Sequence, residues 1–510
     1  MSKCLGIELG STRIKTVLID EKAKVVAQGN FEWENTLVDG LWSYSLEEVE
    51  KGLQTSYKNM LIDYGKPIEQ LDCIGISAMM HGYLAFDSNN KLLVPFRTWR
   101  NTNTHKAAKE LSYLFNFNIP MRWSVAHFYQ AVLNDEPHVK DVAFITTLAG
   151  YVHYRLTGNK VIGIGDASGM FPISNGAYDQ DMLDKFDGLL RAHGRHCKFK
   201  NMLPKIMLAG DNAGSLTSEG ARFLDVSGAL KAGAMLCPPE GDAGTGMVAT
   251  NSVLPRTANV SAGTSAFLMA VMERPLARHY DEIDVVTTPT GEPVAMVHVN
   301  NFTNEINAWA SVFAEAIALV GAKCDKSELF EKLFACSLNS DEDTGKLVGY
   351  NFLSGEPIVN VDNGRPLFAR MPDSKFTLSN FMQMQIYSAL GALAMGLEIL
   401  RSENVAVDNV CGHGGFFKTE FVGQNAMSAA VGAPVTVLSN AGEGGAWGMA
   451  ILALYALNKK TSLSEFLQKL FANTAKVTVE ATAQKKQKFS NFMKLYKQGL
   501  SIAQKASEVL

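Results

Sequence analysis

The stretch that decides the fold is residues 4–19, which read CLGIELGSTRIKTVLI. One apolar run covers residues 4–9, and a second covers residues 14–19 after a Gly-Ser-Thr-Arg turn. Short apolar runs joined by a turn of small and polar residues are typical of consecutive β-strands. Another turn at residues 20–24 and a third apolar run at residues 25–31 follow. The chain is therefore predicted to begin with three consecutive strands.

Helices begin to alternate with strands further along the chain. Ser45 and Glu48 have the spacing of a capping box, and the apolar residues after them recur every three or four positions. This pattern predicts an amphipathic helix. A strand at residues 73–77 and a helix at residues 104–115 are predicted next. Strands that alternate with helices predict the α/β class.

The opening turn has a counterpart near the middle of the chain. Residues 9–12 read LGST, and residues 262–265 read AGTS, again between two apolar runs. A repeated strand–turn–strand unit suggests two related halves. The stretch 248–258, which contains a proline, is the predicted junction. We call residues 1–250 the first half and residues 251–510 the second half, and expect each to be a domain.

The second half has its own series of predicted elements. Glycine-rich turns and apolar segments mark them, and Ser462 with Glu465 forms a further capping box. In order, the predictions are a long apolar helix from Ser379 to about Arg401, a strand at 405–411, a turn at 412–415, a second turn at 442–445, a helix at 446–457 and an amphipathic helix from 484.

The composition excludes several classes of protein. The 510 residues are 47% hydrophobic and 19% charged, with a formal charge of −4, which does not fit a disordered chain or a nucleic-acid or membrane-surface binder. No apolar stretch is long enough to span a bilayer, and no signal peptide is recognisable at the start. The seven cysteines form no C-x-x-C pair and are expected to be reduced thiols. We therefore expect a cytoplasmic protein without nucleic-acid or membrane partners, and a homodimer stays an open alternative.

The chemistry is carried by small-residue turns. The sequence has no P-loop, no H-E-x-x-H and no dinucleotide-binding G-x-G-x-x-G. Glycine lets a ligand approach the backbone closely, and N–H groups and hydroxyls bind phosphate. From the residues alone, each turn is either structural or a phosphate site. Asp242 is either a turn former or a base, His81 a core residue or a ligand, and Glu8 a salt-bridge partner or a metal ligand.

Taken in order, the motifs resemble those of the FGGY carbohydrate kinases, a family of the actin-like ATPase superfamily. The resemblance runs from residue 5 to about residue 457, and the Met-His-Gly at 80–82 is most similar to the xylulokinase branch. The matching motifs are ELGSTRIK at 8–15, IGISAMMHG at 74–82, YVHYRLTG at 151–158, DASG at 166–169, EGDAG at 240–244, GTS at 263–265, the turn at 412–415 and EGGAWG at 443–448.

The resemblance implies a fold and a reaction. The fold is two actin-like, ribonuclease H-like domains on either side of a catalytic cleft. The reaction is ATP-dependent, with Mg²⁺, and transfers phosphate to a terminal hydroxyl of a small ketose, with D-xylulose or a related pentulose as the leading substrate. Another ketose or a polyol (fuculose, rhamnulose, ribulose or glycerol) is the alternative within the kinases. A nucleotide-switched binding protein of the same superfamily is the alternative outside them.

The resemblance also implies roles for individual residues. Asp242 is the expected catalytic base and a metal ligand, and Glu8 is expected to hold the metal through water. The expected sugar-binding residues are Met80, His81, Trp99, Arg100 and Asp242. The expected nucleotide-binding residues are Gly10, Ser11, Thr12, Lys15, Gly263, Thr264, Gly414, Gly415, Glu443 and Gly444.

The sequence departs from the family pattern at several of these places. Glu8 stands where an Asp is usual, and Ala243 follows the expected base where many relatives have Asn. Met79 stands where xylulokinases often have Gln, and Trp99-Arg100-Asn101 replaces their Trp-Asn-Asp. Met79 and the Trp99 segment fall in the expected sugar site, so the identity of the sugar stays open.

Overall fold

The computed structural model describes residues 2–419, 421–439 and 444–510. Most of its strands form two main sheets, one in each half, and the others pair in two-stranded sheets. The strands of the first half are β1 (Cys4–Leu9), β2 (Arg13–Ile19), β3 (Val25–Glu32), β4 (Thr36–Val38), β5 (Leu41–Ser43), β6 (Cys73–Ala78), β7 (Leu84–Phe86), β8 (Phe144–Thr146), β9 (Val161–Gly163), β10 (Ile173–Ser174), β11 (Ala177–Tyr178), β12 (Lys205–Met207), β13 (Met235–Leu236) and β14 (Glu240–Gly241). Those of the second half are β15 (Thr257–Ala262), β16 (Ala266–Val271), β17 (Asp284–Thr287), β18 (Pro293–Val299), β19 (Leu347–Tyr350), β20 (Leu367–Arg370), β21 (Asn409–His413), β22 (Val435–Leu438) and β23 (Lys476–Val479).

Helices separate the strands in both halves, as the alternating pattern predicts. The helices of the first half are α1 (Leu46–Tyr64), α2 (His105–Phe115), α3 (Ser124–Leu133), α4 (Leu148–Thr157), α5 (Ile164–Ala167), α6 (Gln180–Ala192), α7 (Ser218–Leu224) and α8 (Asp242–Ala249). Those of the second half are α9 (Asn304–Leu319), α10 (Lys326–Cys336), α11 (Leu378–Ser402), α12 (Val422–Val431), α13 (Gly444–Leu457), α14 (Leu463–Phe471) and α15 (Ala483–Val509). None of the helices in the described part of the chain has the length and apolar character that crossing a membrane requires.

The central strands of the two main sheets share one topology. In the first sheet β1 pairs with β2 antiparallel and with β6 parallel, in the order β13-β6-β1-β2-β3, and β14 also pairs with β6. In the second sheet β15 pairs with β16 antiparallel and with β21 parallel, in the order β17-β18-β16-β15-β21-β22-β23. The LGST and AGTS turns each close the central hairpin of a sheet. The repeated turn in the sequence therefore marks a repeated structural unit.

Most predicted boundaries agree with the structure to within a few residues. Ser45 accepts a hydrogen bond from the Glu48 N–H at 3.1 Å, as a capping box requires. The second-half strand predicted at 405–411 is wrong in position. It is β21, which begins at Asn409 because the Val405 N–H still bonds back to the Leu400 carbonyl at the end of α11. The long helix begins earlier than predicted, because Thr377 caps it.

The junction between the sheets lies in residues 250–256, between α8 and β15. The domain boundary near residue 250 stays a prediction, because the two halves are also joined by noncovalent contacts between their helices and strands. Helix α13 belongs to the second half by sequence but packs against β1, β6 and α8 of the first half. Strand β17, at the edge of the second sheet, also reaches the first half, where the Thr287 N–H donates to Ser168 Oγ at 3.0 Å.

The packing of α13 on β1 depends on Gly6. A Cβ atom at this position would overlap the Ala446 carbonyl oxygen and the Ala450 nitrogen of α13. The helix backbone therefore lies directly on the strand backbone, and neither can move without the other. Gly75 on β6 similarly faces Met449 of α13.

We predict that Gly6→Ala destabilises the protein by at least about 1–3 kcal/mol, the usual cost of overpacking a well-packed core. Denaturant unfolding followed by circular dichroism measures this cost. Gly188→Ala in α6 is the matched control, because its Cβ would make only an ordinary contact at 3.6 Å with Arg191, and a helical Gly→Ala change is neutral or stabilising. Equal stability of the two variants would show that α13 does not press on β1.

Candidate active site

Three parallel strands end together at the cleft edge of the first sheet. β6 lies between β1 and β14, with Ser77 opposite both Glu8 and Glu240. Because parallel strands present their carboxyl ends on one edge, the residues at and after these ends meet there. This brings Glu8, Met80 and Asp242 to one place from three distant parts of the sequence.

Asp242 is the first residue of α8, directly after β14. Its Oδ1 accepts hydrogen bonds from the Met80 N–H at 3.2 Å and from the Ala243 N–H at 3.0 Å. The residue is exposed to the cleft, but the protein packed around it raises the pKa of the carboxyl to about 6, against the opposing effect of these backbone donors. Among the residues that the structure describes, none donates to Oδ2, so this oxygen can accept a proton.

Glu8 lies near the end of β1 and faces the start of α13. Its Oε2 accepts a hydrogen bond from the Ala446 N–H at 3.2 Å, and a side chain on Gly445 would collide with its carboxylate. Burial first, and the charge of Asp242 second, raise the pKa of Glu8 to about 7. Lys15, opposite Glu8 in the β1–β2 pair, acts in the other direction.

Both carboxylates line one cavity of about 250 Å³ between the halves. The first half contributes Glu8, Asp242 and the first turns of α8, and the second half contributes side chains of its central strands. The lining residues are Glu8, Asp242, Ala243, Gly246, Ala249, Thr250, Asn259, Ser261, Phe267, Met269, His413, Gly444 and Gly445. The reacting groups of a two-substrate reaction can therefore meet between the two sheets.

His81 lies in the turn that follows β6, one residue after Met80. Its side chain is 5% exposed, its φ is +72°, and its ring stacks on Trp123 at 6.3 Å between centroids. Burial and the nearby Arg122 hold its pKa well below the usual value, so the ring is neutral. Nδ1 lies 3.2 Å from the Gly169 carbonyl, which can only accept. Nδ1 therefore carries the proton, and Nε2 is left as an acceptor for a hydroxyl group.

Trp99 and Arg100 are placed by other contacts. Trp99 Nε1 donates to Ser11 Oγ at 3.2 Å, which puts this indole beside the first predicted phosphate turn. The Arg100 guanidinium lies over the Trp42 ring at 4.2 Å and donates to Asn35 Oδ1 at 2.9 Å. Of these two residues, Trp99 is the one that contacts another predicted site residue within the described part of the chain.

The two predicted phosphate turns are held rigidly in hairpins. The Gly10 N–H bonds to the Arg13 carbonyl at 3.0 Å, and Tyr44 OH donates to the Ser11 carbonyl at 2.6 Å. In the second half the Gly263 N–H bonds to the Ser265 carbonyl at 2.9 Å. The Thr12 and Thr264 side chains are exposed in these turns. Exposed hydroxyls on a fixed backbone suit phosphate binding.

The third predicted turn adjoins the second one. Gly414 has a φ of +107°, and a Cβ there would overlap the Ala262 carbonyl, so only glycine fits. Gly415 lines a separate cavity of about 570 Å³ in the second half, together with Thr303, Asn307, Lys326 and Lys418 among others.

Gly444, predicted with the nucleotide-binding residues, lines the 250 Å³ cavity of Asp242 instead of this larger one, because α13 begins against Glu8. Glu443 lies outside the described residues.

A buried carboxylate pair behind Asp242 was not assigned a role from the sequence. Glu240 accepts hydrogen bonds from the N–H groups of Gly165 and Asp166, and Asp166 accepts one from Thr147 Oγ1 at 2.6 Å. Burial raises the pKa of Glu240 to about 8 and that of Asp166 to about 7. The DASG and EGDAG motifs contain both residues, but nothing in the spacing indicates that they meet. Phe267 in the cavity wall was missed for the same reason, whereas His413 lies in the predicted turn at 412–415.

The donor set of the cavity fits a magnesium ion. The charge of Asp242 raises the free energy of the charged form of Glu8, and a divalent cation between carboxylates relieves such repulsion. In the described ranges, no group of three or more His, Cys, Asp or Glu side chains could hold a metal. Mg²⁺ commonly takes one or two carboxylates, with waters and substrate phosphates completing its shell.

Two halves of repeated topology, with carboxylates and small-residue turns facing one cleft, are the architecture of the actin-like ATPase fold. Family models of the N-terminal and C-terminal domains of the FGGY carbohydrate kinases match residues 3–229 and 258–457. The chain belongs to the FGGY family of carbohydrate kinases and is an ATP-dependent sugar kinase.

Individual relatives agree with this assignment. The chain is 24% identical to the xylulose kinase of Escherichia coli over 489 residues, which cover 91% of this chain and 92% of that protein. The solved structure of ligand-bound xylulose kinase from Lactobacillus acidophilus matches with a TM-score of 0.80 at 15% identity, over 100% and 99% of the two chains. The gluconate kinase structure from the same organism also gives 0.80, at 16% identity and the same coverage. The fold alone therefore does not identify the sugar.

We predict that His81→Ala raises the KM for the sugar with little change in the KM for ATP. Losing the partner of a substrate hydroxyl costs about 1–3 kcal/mol, or roughly 5- to 150-fold in KM. Steady-state kinetics with each substrate varied in turn measures the effect. Asn90→Ala is the control for backbone strain, because Asn90 also has a positive φ, +63°, in an exposed turn. A raised KM for ATP would contradict the prediction, because it would place His81 on the nucleotide side of the cleft.

Proposed function

We propose that the protein phosphorylates a terminal hydroxyl of a small ketose, D-xylulose or a related pentulose, with Asp242 as the general base. The observation that carries the proposal is the meeting of Asp242, Met80 and His81 at one strand edge. The similarity to xylulose kinases over nine-tenths of the chain supports the choice of sugar. The family assignment favours a kinase over a nucleotide-switched binding protein.

The residues of the cleft have separate roles in this reaction. His81 Nε2 and the backbone near Met80 orient the sugar, and Asp242 Oδ2 takes the hydroxyl proton as transfer proceeds. The turns at Gly10–Thr12 and Gly263–Thr264 hold phosphates, and the Gly415 cavity receives the rest of the nucleotide. Lys15 lies opposite Glu8, where it balances charge. Glu8, through water, and Asp242 would hold Mg²⁺, which neutralises charge on the transferred phosphoryl group.

Another acceptor stays a specific alternative. Met79 and Trp99-Arg100-Asn101 depart from the xylulokinase pattern near the expected sugar site. The structural match to a gluconate kinase is as good as that to a xylulose kinase. These observations favour testing other ketoses, polyols and sugar acids alongside pentuloses. A cytoplasmic location and a homodimer also belong to the proposal.

A substrate panel tests the proposed function. ATP consumption is measured with D-xylulose, ribulose, fuculose, rhamnulose, glycerol and gluconate, and with no sugar. We expect D-xylulose or another pentulose to give the highest kcat/KM. A preference for gluconate or glycerol would replace the proposed substrate, and hydrolysis that no sugar changes would contradict the reaction itself.

We predict that Asp242→Asn lowers kcat for sugar phosphorylation by at least about a hundredfold, because general-base catalysis contributes roughly 10²–10⁴ in rate. The amide keeps the shape and the acceptor for the Met80 and Ala243 N–H groups. Nucleotide affinity, measured by calorimetry, should change little. A folded variant that retains near wild-type kcat would remove Asp242 as the base.

For Glu8→Gln we expect a higher Mg²⁺ requirement. The neutral amide still accepts from the Ala446 N–H but no longer attracts a cation. Turnover titrated with MgCl₂ at saturating sugar should shift to higher Mg²⁺ by about tenfold or more, as expected for a group that positions a metal. The KM for the sugar serves as the internal control and should stay constant. An unchanged Mg²⁺ titration would make Glu8 a purely structural residue.

A further inference from the structure

Residues 122–124 support the turn that contains Met80 and His81. The Gly82 N–H donates to the Arg122 carbonyl at 3.1 Å, and Ser124 Oγ donates to the Gly82 carbonyl at 2.6 Å. Trp123, between them, stacks on the His81 ring. Both backbone polar groups of Gly82 are thus bound by this short segment. Any shift of residues 122–124 is passed directly to the sugar-binding turn.

The Arg122 side chain crosses to the other half of the molecule. Its guanidinium forms an ion pair with Asp284, the first residue of β17 in the second sheet. Asn118 Nδ2 strengthens the contact by donating to Asp284 Oδ1 at 3.0 Å and to the Ile283 carbonyl at 3.1 Å. The segment that supports the sugar turn is therefore also bound to the edge strand of the second half.

The pair is partly shielded from water, with 23% of the Arg122 side chain and 12% of the Asp284 side chain exposed. Removing one member of a shielded pair leaves the other charge uncompensated, so separating the two side chains is costly. It borders a cavity of about 720 Å³ between the halves, next to His298. Such a contact can be intact when the cleft is closed and broken when the cleft is open.

The second sheet connects Asp284 to the wall of the catalytic cavity. β17 pairs with β18, and β18 pairs with β16. Phe267 on β16 lies opposite His298 on β18, with 6.4 Å between the ring centroids, and lines the cavity with Asp242. A displacement of β17 relative to the first half therefore moves that wall.

We propose that Arg122 and Asp284 are positioning residues that couple the sugar turn to closure of the second half, so that phosphate is transferred to sugar rather than to water. Neither residue lines the cavity of Asp242. Closure over a bound sugar excludes water, which a kinase needs in order to avoid hydrolysis of ATP. The inference rests on the proposed kinase function.

A double-mutant cycle tests the pair. Arg122→Met, Asp284→Asn and the double variant are compared with the wild type for sugar phosphorylation, for ATP hydrolysis without sugar, and for both KM values. We expect the ratio of sugar phosphorylation to hydrolysis to fall about tenfold in each single variant, within the usual range for residues in contact. The KM for sugar should rise by a similar factor, and the KM for ATP should stay within about twofold. The double variant should be no worse than the single variants.

Two further variants keep the test decisive. Lys497→Met breaks an exposed pair with Glu398 that lies entirely within the second half, away from the junction, and it should leave the ratio unchanged. Asn118→Ala keeps both charges but removes the amide contacts to residues 281–284, and it should lower the ratio in the same direction by a smaller factor. If the charge variants fail to fold, Asn118→Ala decides the question. Folded variants with wild-type ratios and KM values, or additive effects in the double variant, would overturn the proposal.

Hydrogen exchange separates this proposal from the proposed function. With a non-hydrolysable ATP analogue and no sugar, residues 80–84 of the wild type should gain protection when the second half binds nucleotide. Arg122→Met should lose that gain, and Lys497→Met should keep it. If no sugar in the panel is phosphorylated, the kinase proposal fails, while this readout still tests the pair. Equal protection in wild type and Arg122→Met would overturn the coupling.

Discussion

The architecture depends on the contact between Gly6 of β1 and the backbone of α13. Because no side chain separates them, the helix contributed by the second half lies directly on the central strand of the first sheet. This close approach brings the start of α13 to Glu8, where the Ala446 N–H donates to the carboxylate. Helix α13 therefore joins the two halves, and its first turn completes the site.

Acidic groups concentrate at the edge where β1, β6 and β14 end. Four carboxyl groups near this edge, those of Glu8, Asp166, Glu240 and Asp242, all have raised pKa values, mainly because burial disfavours their charged forms. Backbone N–H groups donate hydrogen bonds to some of these carboxylates, and Lys15 offsets part of their negative charge. A divalent cation bound here would favour the charged forms of these carboxylates, whereas a bare phosphate would oppose them. Metal and nucleotide are thus expected to arrive together.

The halves meet through contacts of different physical character. Near Asp242, α13 and α8 pack through buried apolar surface and backbone. At the rim, β17 touches the first half through an ion pair at Asp284 and through hydroxyl and backbone hydrogen bonds at Thr287. Apolar packing is insensitive to small ligands, whereas polar contacts exchange readily with water. Ligand binding can therefore change the relative position of the two halves through the contacts at the rim.

Local patterns in the sequence were sufficient for much of the fold. The hairpins around Gly10 and Gly263, the capping box at Ser45 and the amphipathic face of α15 depend on residues close together in the chain, so propensity and periodicity predict them. The ordered motifs were also sufficient to indicate an FGGY kinase, which the family models confirm. The boundary of β21 was misplaced because a backbone bond at the end of α11 is invisible in the pattern.

The arrangement of the site was decided by tertiary structure. Glu8 and Asp242 are 234 positions apart, Arg122 and Asp284 are 162 positions apart, and Glu240 meets Asp166 across two motifs that carry no mark of their contact. Which wall faces Asp242, which nitrogen of His81 is protonated, and which glycine borders which cavity all follow from long-range packing. The sequence by itself determined the chemistry that is available, because residue types carry it. Only the folded chain decided which of those groups meet, because the pairing of parallel strands and the seating of α13 bring distant segments into contact.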